Sequence, residues 1–390
     1  MEVQLNGKIS NESKFKAFSV GNVNSCIYAL LLVIFVKIIY EFTFFSPNSK
    51  VSLGITALLS VITMLGVLSV FKFLGGRLQI LWIIFVLSVL ISYLTHLSGL
   101  EYICNTFTFL GTMSLLKYSK LSKKSIRNIL LVFAIFVLML FIFASRFGGR
   151  SNLIDLNTNT SGIIICLFEI SVIALSRLYG KNAVMKYVCY TFAIVSLIFQ
   201  LQFASRSSLL GTLILLFYII FSNIIHRMKT STFSKFVWLL SIGSIIFAYF
   251  YAVVLFNAIG HGKIIIMGKD IFSGRQTIWS QVFERLSGHW LFGVGNLGVN
   301  DTTVHNQMLG YTYCFGIFVT IFFISLLSEL LKNLSYQKSR FLTVSVMIFL
   351  VISVFETLIY SSYNIAFVVI CIIMTYTCDK IYTQRERKNG

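Results

Sequence analysis

The amino-acid sequence contains about a dozen apolar runs of roughly 18 to 22 residues, and this pattern limits the possible folds more than any other feature. A helix of that length crosses a hydrocarbon layer about 30 Å thick. Of the 390 residues, 57% are hydrophobic and only 12% are charged, too few polar side chains to cover a water-soluble body of this size. The short alternating segments of an outer-membrane barrel are not seen. The sequence therefore predicts an all-α polytopic membrane protein.

About twelve transmembrane helices are expected, with one large external loop between the ninth and the tenth. The predicted spans are 26–45, 51–71, 78–95, 100–117, 128–145, 161–178, 186–203, 207–225, 236–258, 304–327, 341–359 and 363–380. The chain is thereby divided into a cytoplasmic N-terminal segment (1–25), helices 1–9 (26–258), the external loop (259–303), helices 10–12 (304–380) and a cytoplasmic tail (381–390). Only one proline, Pro47, is present, so few spans should be broken by that residue.

The lysines and arginines give an independent test of this topology, because cytoplasmic connections retain basic residues. With the N-terminus inside, 23 of the 32 basic residues lie in internal segments and eight lie in external ones. Both termini are therefore expected in the cytoplasm. The net charge of +19 is accounted for mainly by topology and by attraction to anionic lipid head groups, and a nucleic-acid partner is not expected.

The external loop, residues 259–303, has a composition that favours structure over disorder. It contains Trp279, Trp290 and eight of the 25 glycines. Residues 273–286 have the pattern of a short amphipathic helix with a Ser273–Gln276 capping box and one apolar face. Arg275 would lie in its first turn, where a helix already attracts anions, so this arginine is either incidental or helps to bind a phosphate.

Two further residues are predicted at the outer ends of spans, and each has two interpretations. Arg206 lies in a serine-rich turn between the seventh and eighth spans, where it either reaches lipid phosphates or lines a polar pocket. His305 lies in or near the first turn of the tenth span, which Asp301, Thr302 or Thr303 would cap. It is either an interfacial hydrogen-bonding residue or a proton acceptor or phosphate ligand.

Other motifs are assigned structural or secondary roles. Residues 293–298 match G-x-G-x-x-G, but they lack the strand, helix and acidic residue of a dinucleotide site, so a tight turn is expected. Glu169 lies in the middle of the sixth span, where a carboxylate needs a partner, and Lys37 is the candidate. Arg146 and Arg150 could extend a cationic surface. The seven cysteines form no CxxC pair and are expected to be small buried side chains, with no metal site.

Four segments together resemble the O-antigen ligase and polymerase superfamily, and in particular the Wzy-type polymerases of O-antigen or capsular repeat units. They are S-R-S at 205–207, S-G-R-x-x-x-W at 273–279, G-V-G at 293–295, and H-N-x-x-L at 305–309 followed by Gly316-Ile317. The motifs lie within residues 203–317, while the resemblance in architecture covers the whole chain.

The resemblance implies a metal-independent, inverting glycosyltransferase without a cofactor, acting on the outer face of the bacterial plasma membrane. It implies that Arg206, Arg275 and His305 are catalytic, and Arg146, Arg150, Asn306 and Glu169 are assigned to substrate binding. The expected partners are oligosaccharide linked to undecaprenyl diphosphate, membrane lipids and a chain-length regulator protein. Two alternatives are a ligase that transfers finished glycan to another acceptor, and a flippase or transporter of lipid-linked sugar.

Overall fold

The computed structural model describes residues 22–41, 49–147, 158–178, 183–202, 205–227, 229–255, 258, 265–266, 269–270, 274–295, 298–299, 302–336, 340–359 and 362–389. Long helices account for most of these residues. They are α1 (Asn22–Glu41), α2 (Ser49–Val70), α3 (Gly76–His96), α4 (Leu100–Leu116), α5 (Lys123–Phe147), α6 (Thr158–Leu178), α7 (Ala183–Gln202), α8 (Arg206–Arg227), α9 (Thr230–Tyr249), α10 (Arg275–Leu286), α11 (Gln307–Tyr336), α12 (Arg340–Ile352) and α13 (Ser362–Asn389).

Short elements complete the fold. A 3-10 turn, Phe71–Phe73, follows α2, and a π-helical turn, Phe250–Leu255, extends α9. Two antiparallel pairs of two-residue strands lie in the segment between α9 and α11. They are β1 (Ile265–Ile266) with β2 (Lys269–Asp270), and β3 (Gly298–Val299) with β4 (Thr302–Thr303).

Seven helices in the described part of the chain are long and apolar enough to cross a membrane, namely α1, α2, α3, α6, α9, α11 and α13. Shorter apolar stretches occur in α7, α8 and α12. These helices confirm the prediction of a helical membrane protein with several spans. The count of twelve spans stays a prediction, although each predicted span overlaps one of the helices.

The helices form an inner and an outer group. In α6 and α13, 83% of the apolar stretch is buried inside the protein, compared with 28% in α3. The inner helix α13 packs against α6 and α4, while α11 packs against α9 and α3, and α12 against α8. The outer helices expose large apolar side chains such as Leu32, Leu94 and Leu239, each more than 60% exposed. Lipid rather than water is the solvent that suits such a surface.

Helix α11 is broken at Gly316, and a loop segment pairs with the free backbone groups at the break. Gly316 has φ 86° and ψ 172°, a conformation that is almost exclusive to glycine. The N–H groups of Val294 and Gly295 donate to the carbonyls of Tyr313 and Cys314, at 2.7 and 3.1 Å. The N–H of Ile317 donates to the Trp290 carbonyl at 2.8 Å.

The predicted close approach of backbone at residues 293–295 is thereby confirmed, although the turn itself lies just before them, at 287–292. Gly293 and Gly295 have φ values of 77° and 73°, and a side chain at Gly293 would meet the backbone of Cys314. A side chain at Gly295 would collide with His96 at the end of α3. Close approach of backbone to backbone therefore explains these glycines without a nucleotide.

The amphipathic helix in the loop is also confirmed, but its predicted N-terminal cap is wrong. Helix α10 begins at Arg275 and its N-cap is Gly274, in a left-handed conformation with φ 77° and without a side-chain capping bond. Gln276 is therefore the second helical residue and not the third, as a capping box requires. Ser273 lies outside the described residues. The predicted apolar face is correct, since Trp279, Val282 and Leu286 are fully buried.

The break at Gly316 leads to a first test. Gly316→Ala should destabilise the protein by at least about 1–3 kcal/mol, because alanine is strained at this φ and ψ and its Cβ would collide with the Leu291 carbonyl. Gly243→Ala in α9 is the control, because no atom lies within 4 Å of the added Cβ, and it should be neutral or slightly stabilising. Thermal unfolding in detergent measures both, and equal midpoints would contradict the pairing.

Candidate functional site

The segment between β4 and α11 holds His305 in an unusual backbone conformation. His305 has φ 51°, one of two positive values among the described residues other than glycine. The residues on either side are fixed, because Trp279 Nε1 donates to the Val304 carbonyl at 2.6 Å and Asn306 is fully buried. A strained backbone that its neighbours hold in place is a feature often found at functional sites.

Asn306 is the residue that caps α11. Its Oδ1 accepts the N–H of Leu309 at 2.9 Å, and its Nδ2 donates to the Ser244 carbonyl of α9 at 3.1 Å. The prediction that Asp301, Thr302 or Thr303 caps this helix is therefore wrong, because the left-handed conformation of His305 moves the helix start to Gln307. The buried amide of Asn306 connects helices, and its predicted contact with substrate stays untested.

Glu356 is brought to His305 by the turn that follows α12. The Glu356 N–H donates to the Ile352 carbonyl at the end of that helix. Gln307, at the start of α11, ties the same turn in place: its N–H donates to the Ser353 carbonyl at 2.9 Å, and its Oε1 accepts the N–H groups of Leu358 and Ile359 at 3.0 and 2.9 Å. One backbone hydrogen bond and two bonds between backbone N–H groups and the Gln307 side chain therefore set the relative position of the two segments.

The Glu356 carboxylate joins three donors from separate parts of the fold. Its Oε1 accepts Arg275 Nη2 of α10 at 2.6 Å and Asn159 Nδ2 of α6 at 2.9 Å. Its Oε2 lies 3.3 Å from His305 Nδ1. The side chains of Glu356 and Arg275 are only 8% and 12% exposed, while that of His305 is 28% exposed. The structure thus brings together two of the three residues predicted to be catalytic.

The hydrogen bond to Glu356 defines how the His305 ring can act. An ionised carboxylate only accepts hydrogen bonds, so Nδ1 must carry the proton in this contact. In the neutral ring, Nε2 is then left with a lone pair and can accept a proton. A carboxylate behind the imidazole also stabilises the cation that forms after proton transfer.

The Arg275 guanidinium retains hydrogen-bonding capacity beyond its ion pair. Its Nε is buried and has no acceptor among the described residues. A buried donor without an acceptor costs about 1–3 kcal/mol, and more when the group is charged. An oxygen of a bound anion that reached this donor would remove the cost, and Glu356 already holds the arginine in place.

Arg206 begins α8 at the same end of the bundle. The preceding residue, Ser205, has its Oγ 3.5 Å from the carbonyl of Asn159, the residue that binds Glu356. Ser205 and Ser208 contact each other and pack on Gly162 of α6, where a Cβ would lie 2.5 Å from Ser205 Cβ. Arg206 itself is half-buried. The predicted serine-rich turn is therefore a close contact between α6 and α8 next to the Glu356 cluster.

Glu169 lies deeper in the protein than this cluster. It is ten residues beyond Asn159 in α6, which corresponds to about 15 Å of helix. Its Oε2 accepts Thr212 Oγ1 at 2.7 Å, and Gln200 Nε2 donates to Thr212 Oγ1 at 2.7 Å. The proposed pairing with Lys37 is wrong, because Lys37 Nζ binds Glu41 Oε1 at 2.6 Å, one helical turn along α1.

The other predicted substrate-binding residues are only partly covered. Arg146 lies in the last turn of α5, with its side chain outside the described residues, and Arg150 lies wholly outside them. Among the residues that the structure describes, no three His, Cys, Asp or Glu side chains form a group that could hold a metal ion. The six described cysteine side chains are free thiols.

Asn159 and Gln307 were missed by sequence reasoning, and Glu356 was not distinguished from other acidic residues near the outer interface. The signal for Glu356 is its position at the end of an apolar run, where a carboxylate needs a partner. Asn159 belongs to the polar segment N-T-N-T-S at 157–161. Comparison of the chain with protein-family models, curated proteins and solved structures finds no match.

Gln307 provides a test of how the site is held. In Gln307→Leu the N–H groups of Leu358 and Ile359 lose their acceptor, at a cost of about 1–3 kcal/mol each, so the unfolding temperature should fall. Gln79→Leu is the matched control, because Gln79 makes one part-buried bond to the Phe71 carbonyl and should lose less. A Gln307→Leu protein as stable as the control would exclude this role for Gln307.

Proposed function

We propose that the chain is a polysaccharide polymerase, a glycosyltransferase that joins oligosaccharide repeat units carried on undecaprenyl diphosphate. The observation that carries the proposal is the cluster of Arg275, His305 and Glu356. In it, a fixed cation whose buried Nε–H has no acceptor among the described residues lies beside a ring that can accept a proton. The resemblance in sequence motifs leads to the same reaction class. Membrane lipids and a chain-length regulator are further proposed partners.

The proposed setting is the bacterial plasma membrane, with twelve spans, both termini in the cytoplasm and the Glu356 cluster at the outer face. The excess of lysine and arginine in the alternate, internal connections supports this orientation. Lipid-linked repeat units are amphipathic, so a polar cluster at the end of a helix bundle meets the diphosphate at the depth of the head groups.

Arg275 is proposed to bind the diphosphate of the donor. When the bond between the anomeric carbon and the diphosphate oxygen breaks, its electron pair stays on that oxygen and the leaving group gains negative charge. A guanidinium remains charged throughout and matches phosphate geometry, so it stabilises this state. Glu356 fixes the guanidinium through Nη2, and Nε, which has no acceptor among the described residues, would donate to a phosphate oxygen.

His305 is proposed to act as the general base. The acceptor hydroxyl gives its proton to Nε2 as its oxygen attacks the anomeric carbon, and Glu356 stabilises the resulting imidazolium through Nδ1. A single displacement of this kind inverts the anomeric configuration. Arg206, Arg146 and Arg150 would add positive charge around the lipid diphosphate, and Asn159 is a positioning residue for Glu356.

Elongation of purified lipid-linked repeat units in proteoliposomes tests Arg275. Arg275→Gln should reduce the rate about 10²–10³-fold, the usual effect of removing one group that stabilises developing charge. Arg285→Gln is the matched control, since this exposed arginine lies on the same helix, and it should elongate at the wild-type rate. A full-length ladder at wild-type rate from Arg275→Gln would contradict the proposal.

His305 is tested in the same assay with His305→Asn, because asparagine tolerates the left-handed backbone and should preserve the fold. The rate should fall about 10²–10⁴-fold. Glu356→Gln should also slow elongation. In the double variant the fold-reduction in rate should be smaller than the product of the two single fold-reductions, because Glu356 acts partly through the His305 ring. Fully multiplicative effects would show that the two residues act independently.

The ligase alternative uses the same leaving group, and the products separate the two reactions. A polymerase lengthens glycan on undecaprenyl diphosphate, whereas a ligase transfers finished glycan to a different acceptor without lengthening it. A flippase would move lipid-linked sugar across the bilayer without changing its length. Incubation with lipid-linked repeat units alone should therefore yield a ladder, and unchanged chain length would favour one of the alternatives.

A further inference from the structure

A polar cavity of about 210 Å³ lies between α3, α9 and α11. It is at the opposite end of the bundle from the Glu356 cluster. Its lining comes from the first turns of α3 and α9 and the last turns of α11, whereas the other ends of these helices contact the 274–307 segment. Its volume is below the roughly 300–1,000 Å³ of sites for drug-sized molecules, so it suits a small charged group.

The lining of this cavity is rich in hydrogen-bond donors and has a net positive charge. Arg77 and Lys332 contribute two cations, and both contact Glu329 Oε2, at 3.4 and 3.7 Å. The Arg77 and Lys332 side chains are 74% and 44% exposed, so both also reach solvent. Hydroxyl groups come from four serines on α9 and α11, including Ser234 and Ser328, which bind each other at 2.6 Å.

The walls beside the cavity are apolar and uncovered. Leu81 of α3 and Trp238 of α9 line it directly. One helical turn from the lining residues, Ile242 of α9 and Ile321 of α11 continue the same helix faces toward the middle of the bundle. They are 41% and 37% exposed, on surfaces that face lipid in a membrane-spanning helix. A ligand with a negatively charged head and two hydrocarbon chains would therefore place its head in the cavity and its chains along α9 and α11.

We propose that this cavity binds the head group of an anionic glycerophospholipid. The phosphate would lie between Arg77 and Lys332 and accept hydrogen bonds from the serine hydroxyls, in competition with the Glu329 carboxylate for the two cations. Basic pockets between membrane helices are suited to such head groups. The proposal does not depend on the reaction at the opposite end of the bundle.

Native mass spectrometry of the full-length protein in detergent, titrated with phosphatidylglycerol or with phosphatidylcholine of the same acyl chains, measures this selectivity. The wild-type protein should bind phosphatidylglycerol more tightly. Arg77→Gln combined with Lys332→Gln should weaken binding by about fivefold for each basic side chain removed. Lys123→Gln combined with Lys124→Gln, which changes the charge equally at exposed positions of α5, should retain the preference.

Glu329→Gln provides a test in the opposite direction. It removes the negative charge without removing a cation, so it should strengthen binding of phosphatidylglycerol even if the double variant folds poorly. Equal binding of the two lipids by the wild-type protein, or an unchanged preference in the Arg77 and Lys332 double variant, would overturn the proposal. Inorganic phosphate that competes at the same concentration as the lipid would overturn it too, because the site would then bind free anions.

Discussion

The shared carboxylate of Glu356 is the interaction on which the candidate site depends. It binds Arg275 from the loop helix, His305 from the start of α11 and Asn159 from the start of α6. Removal of one member of a buried ion pair lowers the free energy of unfolding by about 3–5 kcal/mol, because the other charge stays buried without compensation. Sequence segments that are almost 200 residues apart therefore meet at this one carboxylate.

A second constraint acts on the backbone around this site. Irregular backbone at membrane depth needs protein partners, because lipid offers no hydrogen bonds. The break at Gly316 meets this requirement by pairing with residues 290–295, and Gln307 does the same for the turn that carries Glu356. The first contact places the loop segment against α11, and the second joins the turn after α12 to the start of α11. Trp279 of α10 holds Val304, next to the strained His305.

Much of this arrangement follows from sequence pattern, and the remainder depends on tertiary partners. The long apolar runs give the helices, and the period of apolar residues gives α10 with Arg275 in its first turn. Position at a span end also identified Arg206 and His305. The sequence pattern alone does not distinguish Glu356 from the other acidic residues near the outer interface. Its role depends on partners that are distant in sequence, including Asn159. Sequence pattern also suggested Lys37 as the partner of Glu169. In the structure Lys37 pairs with Glu41, which is one helical turn away on α1.

The central claim is that Arg275 donates its buried Nε–H to the diphosphate of a lipid-linked glycan while Glu356 holds the guanidinium in place. The most direct measurement is an experimental structure of the protein bound to undecaprenyl diphosphate carrying one repeat unit. A phosphate oxygen is expected about 2.7–2.9 Å from Arg275 Nε, with the anomeric carbon on the side of His305 Nε2. The claim would be contradicted by a diphosphate that binds away from Arg275 while Arg275 stays paired with Glu356 and its Nε contacts only protein.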